Sequence, residues 1–127
     1  MFSEKELVYI KSNRLVRLAT VSNDMQPDVV PLTLIFDGQH FYCGGKTMHA
    51  THKYKNVLSN GKNAKVALVI DDDKGGIKVY GKAEIVERDD PQRENLFIKI
   101  TPLVTWSWGI DTPSKPGKNI FRKTKWE

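Results

Sequence analysis

Short runs rich in apolar residues, broken by turn residues, recur along most of this chain, and one of them alternates with a period of two; the pattern predicts a mainly β protein. Residues 14–21, rich in Leu, Val and Thr, predict a first strand, and the Asn-Asp and Pro of 22–27 a turn. Residues 28–36 predict a second strand. Pro31 within it has no N–H for a ladder, so it belongs at a bulge or where one side of the strand is unpaired. Asp37-Gly38 is a hairpin-turn signal, and 41–44 a short third strand. Residues 64–71 form an apolar run. Residues 77–87 then alternate, with Ile77, Val79, Gly81, Ala83 and Ile85 on one side and Lys78, Tyr80, Lys82 and Glu84 on the other. Residues 103–110 predict a sixth strand with Trp106 and Trp108 on the same side.

Three segments follow a helical period instead. Ser3 and Glu6 form a capping box flanked by Phe2 and Leu7, and Asn13 is a stop signal. Within 46–61, Ala50, Tyr54, Val57 and Leu58 recur on one helical face, and Asn60-Gly61 supplies a C-terminal cap. Asp90-Pro91 reads as an N-cap followed by proline at the first helical position, so 91–100 is expected to be helical. Six short strands with flanking helices favour an antiparallel barrel, because closure removes exposed sheet edges. The expected organisation is one barrel domain over 1–111 and a basic C-terminal tail over 112–127.

The 127 residues suffice for one core. Hydrophobic residues make up 39% and charged residues 28%, a globular balance. No apolar run approaches the roughly 20 residues of a membrane helix, and the N-terminus carries no signal-peptide core. A single cysteine, Cys43, excludes an intrachain disulfide and fits a reducing cytoplasm. The net charge of +5 suits an anionic ligand.

No nucleophile elbow, Walker loop or dinucleotide fingerprint is present. Cys43, His49 and His52 match no common zinc spacing, so no metal is expected. The stretch from Gly44 to Lys53 says more. Gly44 and Gly45 let backbone approach a ligand, a helix start offers free N–H groups, and Lys46, Thr51 and Lys53 add charge and a hydroxyl. These groups suit a phosphate; they equally suit an ordinary strand-to-helix connection with solvated lysines. Lys55 adds charge to the same cluster, and Arg17 would join it if it pointed into the groove. Lysines interleave with an aromatic residue only at Lys78-Tyr80-Lys82, too little for a nucleic-acid surface.

Several motifs, in order, resemble the pyridoxamine-phosphate-oxidase-like superfamily of FMN-binding split barrels. Arg17-Leu18-Ala19-Thr20-Val21 with Pro27, Val30, Pro31 and Leu32 is similar to its first hairpin, and Thr51-His52-Lys53 to its phosphate-binding Ser-Arg-Lys element. Val79-Tyr80-Gly81-Lys82-Ala83 resembles its Val-x-Gly-x-Ala strand. Val104 through Gly109 resembles the Ser-Trp-Gly ending of a small deazaflavin-dependent subgroup. The resemblance implies a homodimer with FMN or coenzyme F-420 across the subunit interface, and hydride transfer to a small organic substrate. The other implied possibilities are a non-enzymatic carrier of the same cofactor or a haem-binding split barrel using His49 or His52. By position, Thr51 and Lys53 would hold the phosphate beside Gly45 and Lys46, with His52 where the family often has Arg. Val30, Pro31, Leu32 and Thr33 would line the ring, and Trp106 would approach it from either subunit. The connection 71–76 is shorter than in that subgroup, which takes away one wall of the substrate site.

Overall fold

The computed structural model describes residues 1–13, 15–91, 94–112 and 120–126. Among them are two α-helices, one 3-10 turn and eight strands, where the sequence pattern suggests six. The strands are β1 (Leu15–Val21), β2 (Pro27–Thr33), β3 (Ile35–Phe36), β4 (Phe41–Cys43), β5 (Ala64–Asp71), β6 (Gly76–Glu87), β7 (Leu96–Trp108) and β8 (Phe121–Lys125). All pair antiparallel in one sheet of order β2-β1-β5-β6-β7-β4-β3. β7 is long enough to carry two strands on its second edge, β4 at Ile98–Ile100 and β8 at Val104–Trp108.

The expected second strand breaks at Leu34, which is buried, into β2 at one edge of the sheet and β3 at the other. Covalent continuity through Leu34 therefore joins the two edges and curls the sheet into a split barrel. Pro31 lies on β2, which among the described residues pairs only with β1, so its missing N–H costs no ladder bond on the open side. The core fills the inside of the curl with Val16, Leu18, Val66, Ile70, Val79 and Ile100 among others.

Helix α1 (Glu4–Ser12) begins as its sequence predicts. Ser3 Oγ accepts from the Glu6 N–H at 3.2 Å, and Glu6 Oε1 accepts from the Ser3 N–H at 2.8 Å. Phe2 is buried against Phe36, Phe41 and Trp126. The Tyr9 hydroxyl donates to the Gly75 carbonyl at 3.0 Å, fastening α1 to the β5–β6 turn. Burial there, reinforced by the negative field of Asp72, pushes the Tyr9 pKa from 10.0 to about 12. The fold thus favours the neutral phenol. That contribution is whole below the ordinary pKa of 10.0 and is lost as pH rises through about 12. Urea midpoints of wild type and Tyr9→Phe, followed upward from neutral pH, should converge across this window, with the wild type falling more steeply. Parallel curves would refute the assignment.

Helix α2 (His52–Ser59) is shorter than expected, because residues Met48–Ala50 form a separate 3-10 turn. The buried stripe is accordingly Met48, Asn56 and Val57, whereas Ala50 and Leu58 are exposed. Gly61 follows the helix with φ +69°, a left-handed conformation that favours glycine. The helix expected over 91–100 is absent from the described part of that segment. Pro91 lies in a turn, residues 92 and 93 fall outside the described residues, and Leu96 onward belongs to β7. The run Leu-Phe-Ile-Lys-Ile-Thr is short and apolar, so periodicity alone does not distinguish the two states. Pairing with β6 from Glu87↔Leu96 onward decides it.

The segment read as a basic tail after 111 is structured where it is described. β8 pairs with β7, the Trp126 N–H donates to the Leu103 carbonyl at 2.8 Å, and Trp126 Nε1 donates to Thr105 Oγ1 at 3.2 Å. Arg122 reaches the buried Glu6 carboxylate at 2.5 Å, so the two ends of the chain clasp one another. Beside this clasp, Ser107 is fully buried, is the register partner of Arg122, and has no hydrogen-bond partner for its Oγ among the described residues. Ser107→Ala should raise stability by about 1 kcal/mol, the penalty of an unmade buried bond. A loss in urea unfolding would contradict this.

Candidate functional site

The first turn of α2 is rich in donors. No acidic residue lies in it, and the N–H groups of His52 and Lys53 have no intrahelical acceptor. Lys53 is half-buried, and His52 and Lys46 are exposed. Thr51 is the N-cap of α2. Its hydroxyl donates to the Met48 carbonyl at 2.7 Å and accepts from the Tyr54 N–H at 3.2 Å, so it caps the helix and its proton is committed.

The two glycines divide their roles. A Cβ on Gly44 would lie 2.4 Å from the Phe97 ring, so Gly44 serves close packing. A Cβ on Gly45 would meet only the Met48 methyl at 3.9 Å, so the space beside its backbone is open. Two helix N–H groups and the side chains of Lys46, His52 and Lys53 are the donors available around this helix start to hold an anion.

Asn56, one turn on from Lys53, donates to Thr20 Oγ1 on β1 at 2.9 Å, which sets α2 on the inner face of the sheet. Thr20 pairs with Asp28 on β2, and Val30 and Leu32 follow on that same inward side, half-buried. Pro31 and Thr33 project from the outer face. The structure therefore brings Val30, Leu32, Thr51, His52 and Lys53 to one side of the sheet, and Gly45 and Lys46 to the connection leading into it.

Trp106 is on the other side. It stands on the outer face of β7, four strands along the sheet from β2. Lys78 Nζ lies 4.3 Å from its ring centroid, Lys123 Nζ lies 5.6 Å away, and Tyr80 meets it edge-on at 4.8 Å. Within one chain, Trp106 shares no site with α2. Trp108 fills the space over Gly76, where a Cβ would lie 2.5 Å from the indole, so its role is packing at the barrel end. Arg17 does not join the lysines at α2, because it pairs with Asp71 at 2.8 Å on the outer face.

Sequence reading missed this outer face. Lys78↔Trp106↔Lys123 and Tyr80↔Val104↔Lys125 are cross-strand rows that interleave aromatics and lysines, visible only once the register is known. A depression of about 500 Å³, lined by Ala19, Val21, Ala67, Tyr80, Leu103 and Val104, opens on the same face where a bulge interrupts the β6–β7 register. The three metal candidates do not converge. Cys43 is buried, His49 Nδ1 is bonded to both Glu94 oxygens at 2.9 and 3.0 Å, and His52 is exposed. No described helix is long and apolar enough to cross a membrane.

Residues 2–122 match the sequence model of the pyridoxamine 5'-phosphate oxidase family, and the chain belongs to that family. A curated relative from Streptomyces rimosus, the 5a,11a-dehydrotetracycline/5a,11a-dehydrooxytetracycline reductase, is 28% identical, covering 87% of this chain and 84% of its own. A pyridoxamine 5'-phosphate oxidase-like structure from Lactobacillus delbrueckii superposes with a TM-score of 0.67 at 28% identity, covering 82% of this chain and 92% of the other. The structure of an F-420 reductase gives 0.65 at 19% identity, covering 83% and 98%, and supports the split-barrel fold.

Proposed function

We propose that this protein is a flavin- or deazaflavin-dependent oxidoreductase acting on a small organic substrate as a homodimer. The observation that carries the reading is the donor-only start of α2, set on the same side of the sheet as the open-edged strand β2. The relationship to a reductase supports it. Bound there, FMN or coenzyme F-420 would supply hydride transfer from its ring system. The chain's part is to bind and orient: the His52 and Lys53 amides and the Lys46 and Lys53 ammoniums hold phosphate, and Val30 to Thr33 present a strand edge to the ring. Trp106 completes the site from a second subunit, since it faces away from α2 in its own.

The deciding measurement is the absorbance spectrum of purified protein, followed by fluorescence titration with FMN and with F-420 at low and high salt. F-420, which carries an anionic tail beyond its phosphate, should bind more tightly and lose affinity more steeply with salt. Tighter FMN binding at both salts would assign the FMN branch. Tight binding without turnover of any reductant pair would make the protein a cofactor carrier, and failure to bind either cofactor would reject the reading.

A further inference from the structure

From Gly44 to Ser59 the sequence holds three lysines and two histidines but no Asp or Glu. The fold nevertheless brings a carboxylate onto this stretch from 45 positions away. Both oxygens of Glu94, in the β6–β7 connection, lie against His49 Nδ1, at 2.9 and 3.0 Å. The connection is closed beside it, where the Arg88 N–H donates to the Asn95 carbonyl at 2.8 Å. The Arg88 guanidinium is engaged elsewhere, 4.2 Å from the Tyr42 ring centroid. Among the described residues, the ionic partner of Glu94 is therefore His49.

His49 belongs to the 3-10 turn Met48–Ala50, and the residue that ends this turn, Thr51, is the N-cap of α2. Thr47, at the start of the turn, makes no side-chain cap. His49 and His52 are three positions apart, so their backbones are separated by about 11 Å at most. That is about one screening length at moderate salt, which puts the Glu94 charge in range of the donors at the α2 start. The bond from His49 is the first cause holding the Glu94 carboxyl below the usual carboxylate range, against the opposing effect of burial. Glu94 is thus ionised at neutral pH. The Glu94 side chain is 25% exposed and that of His49 64%, so solvent reaches the pair and its hold is weak.

We propose that Glu94 is a built-in counter-anion of the α2 site and sets how much negative charge the site accepts. A ligand whose charge ends at the phosphate leaves Glu94 in place. A ligand with further negative charge beside the phosphate meets the carboxylate and has to displace it from His49. This rests on the reading that a phosphorylated cofactor binds at α2, and it makes Glu94 a specificity residue of that site: its charge narrows the advantage of F-420 over FMN.

The test is fluorescence titration of the full chain with FMN and with F-420, for wild type, Glu94→Gln, Glu94→Ala and Asp73→Asn. Asp73 is an exposed acid in the turn at the far end of β6, so its variant makes the same change in net charge away from the site. Glu94→Gln should tighten F-420 by about tenfold and FMN by less than about threefold, with the difference shrinking at high salt. Glu94→Ala, which also loses the bond to His49, should do the same, and Asp73→Asn should move neither ligand. Equal changes for the two ligands, or weaker binding of both, would show that Glu94 only braces the turn; either result would overturn the proposal and leave the cofactor reading standing. Binding of F-420 by the Glu94 variants but not by wild type would support the proposal in its strongest form. No binding of either cofactor to any of the four proteins would overturn both.

Discussion

Replacing Arg122 by Met should cost about 3 kcal/mol of stability, with a fall in Tm on the order of 10 °C. The Glu6 side chain is 2% exposed, and its partners are the Ser3 N–H and the Arg122 guanidinium. Removing the guanidinium strands a carboxylate in the core, which is worse than never having buried the pair. The double variant Glu6→Gln/Arg122→Met should recover more than half of the loss. Gln still accepts from the Ser3 N–H, so the capping box survives while the stranded charge disappears. Urea and thermal unfolding read both numbers. If the single variant lost less than the double one, the clasp between α1 and β8 would not be what holds the chain ends together.

The largest effect on binding should come from Lys53→Ala. A charge-assisted bond to phosphate contributes on the order of 1.5–3 kcal/mol, so cofactor affinity should fall by roughly tenfold to a hundredfold. Alanine is the best helix former, so α2 itself is not weakened. The matched control is Lys62→Ala, an exposed lysine in the turn that follows the other end of α2. A control in the C-terminal segment, such as Lys125, does not serve, because Lys125 belongs to β8 on the outer face. Isothermal titration with FMN and F-420 measures both variants. Equal losses would mean that the overall positive charge, rather than the helix start, holds the ligand.

Features closed by neighbours a few residues apart were legible in the sequence. The Ser3–Glu6 box, the Asp37-Gly38 turn and the Asn60-Gly61 helix end each form a bond or adopt a backbone conformation inside a window of about four residues. The alternation of β6 was legible for a related reason: inside and outside alternate with the pleat whatever the strand pairs with. Together with the order of the family motifs, these fixed the barrel class and the donor cluster at α2.

Pairing between distant segments was decided only by the tertiary structure. Residues 96–102 are an apolar run that suits helix or strand, and the free edge of β6 selected the strand. Phe121–Lys125 is too short and too charged to declare itself, and it became β8 because β7 extends beyond β4 and leaves an edge to fill. The Thr51 hydroxyl, read in sequence only as a group at a helix start, bonds Met48 and Tyr54 as the helix cap. Arg17 found Asp71, 54 positions away, instead of the lysines at α2. A one-dimensional pattern records which face of its own element a side chain occupies. It does not record which other element stands opposite, so the placement of Trp106 and α2 on opposite faces of the sheet emerged only from the fold.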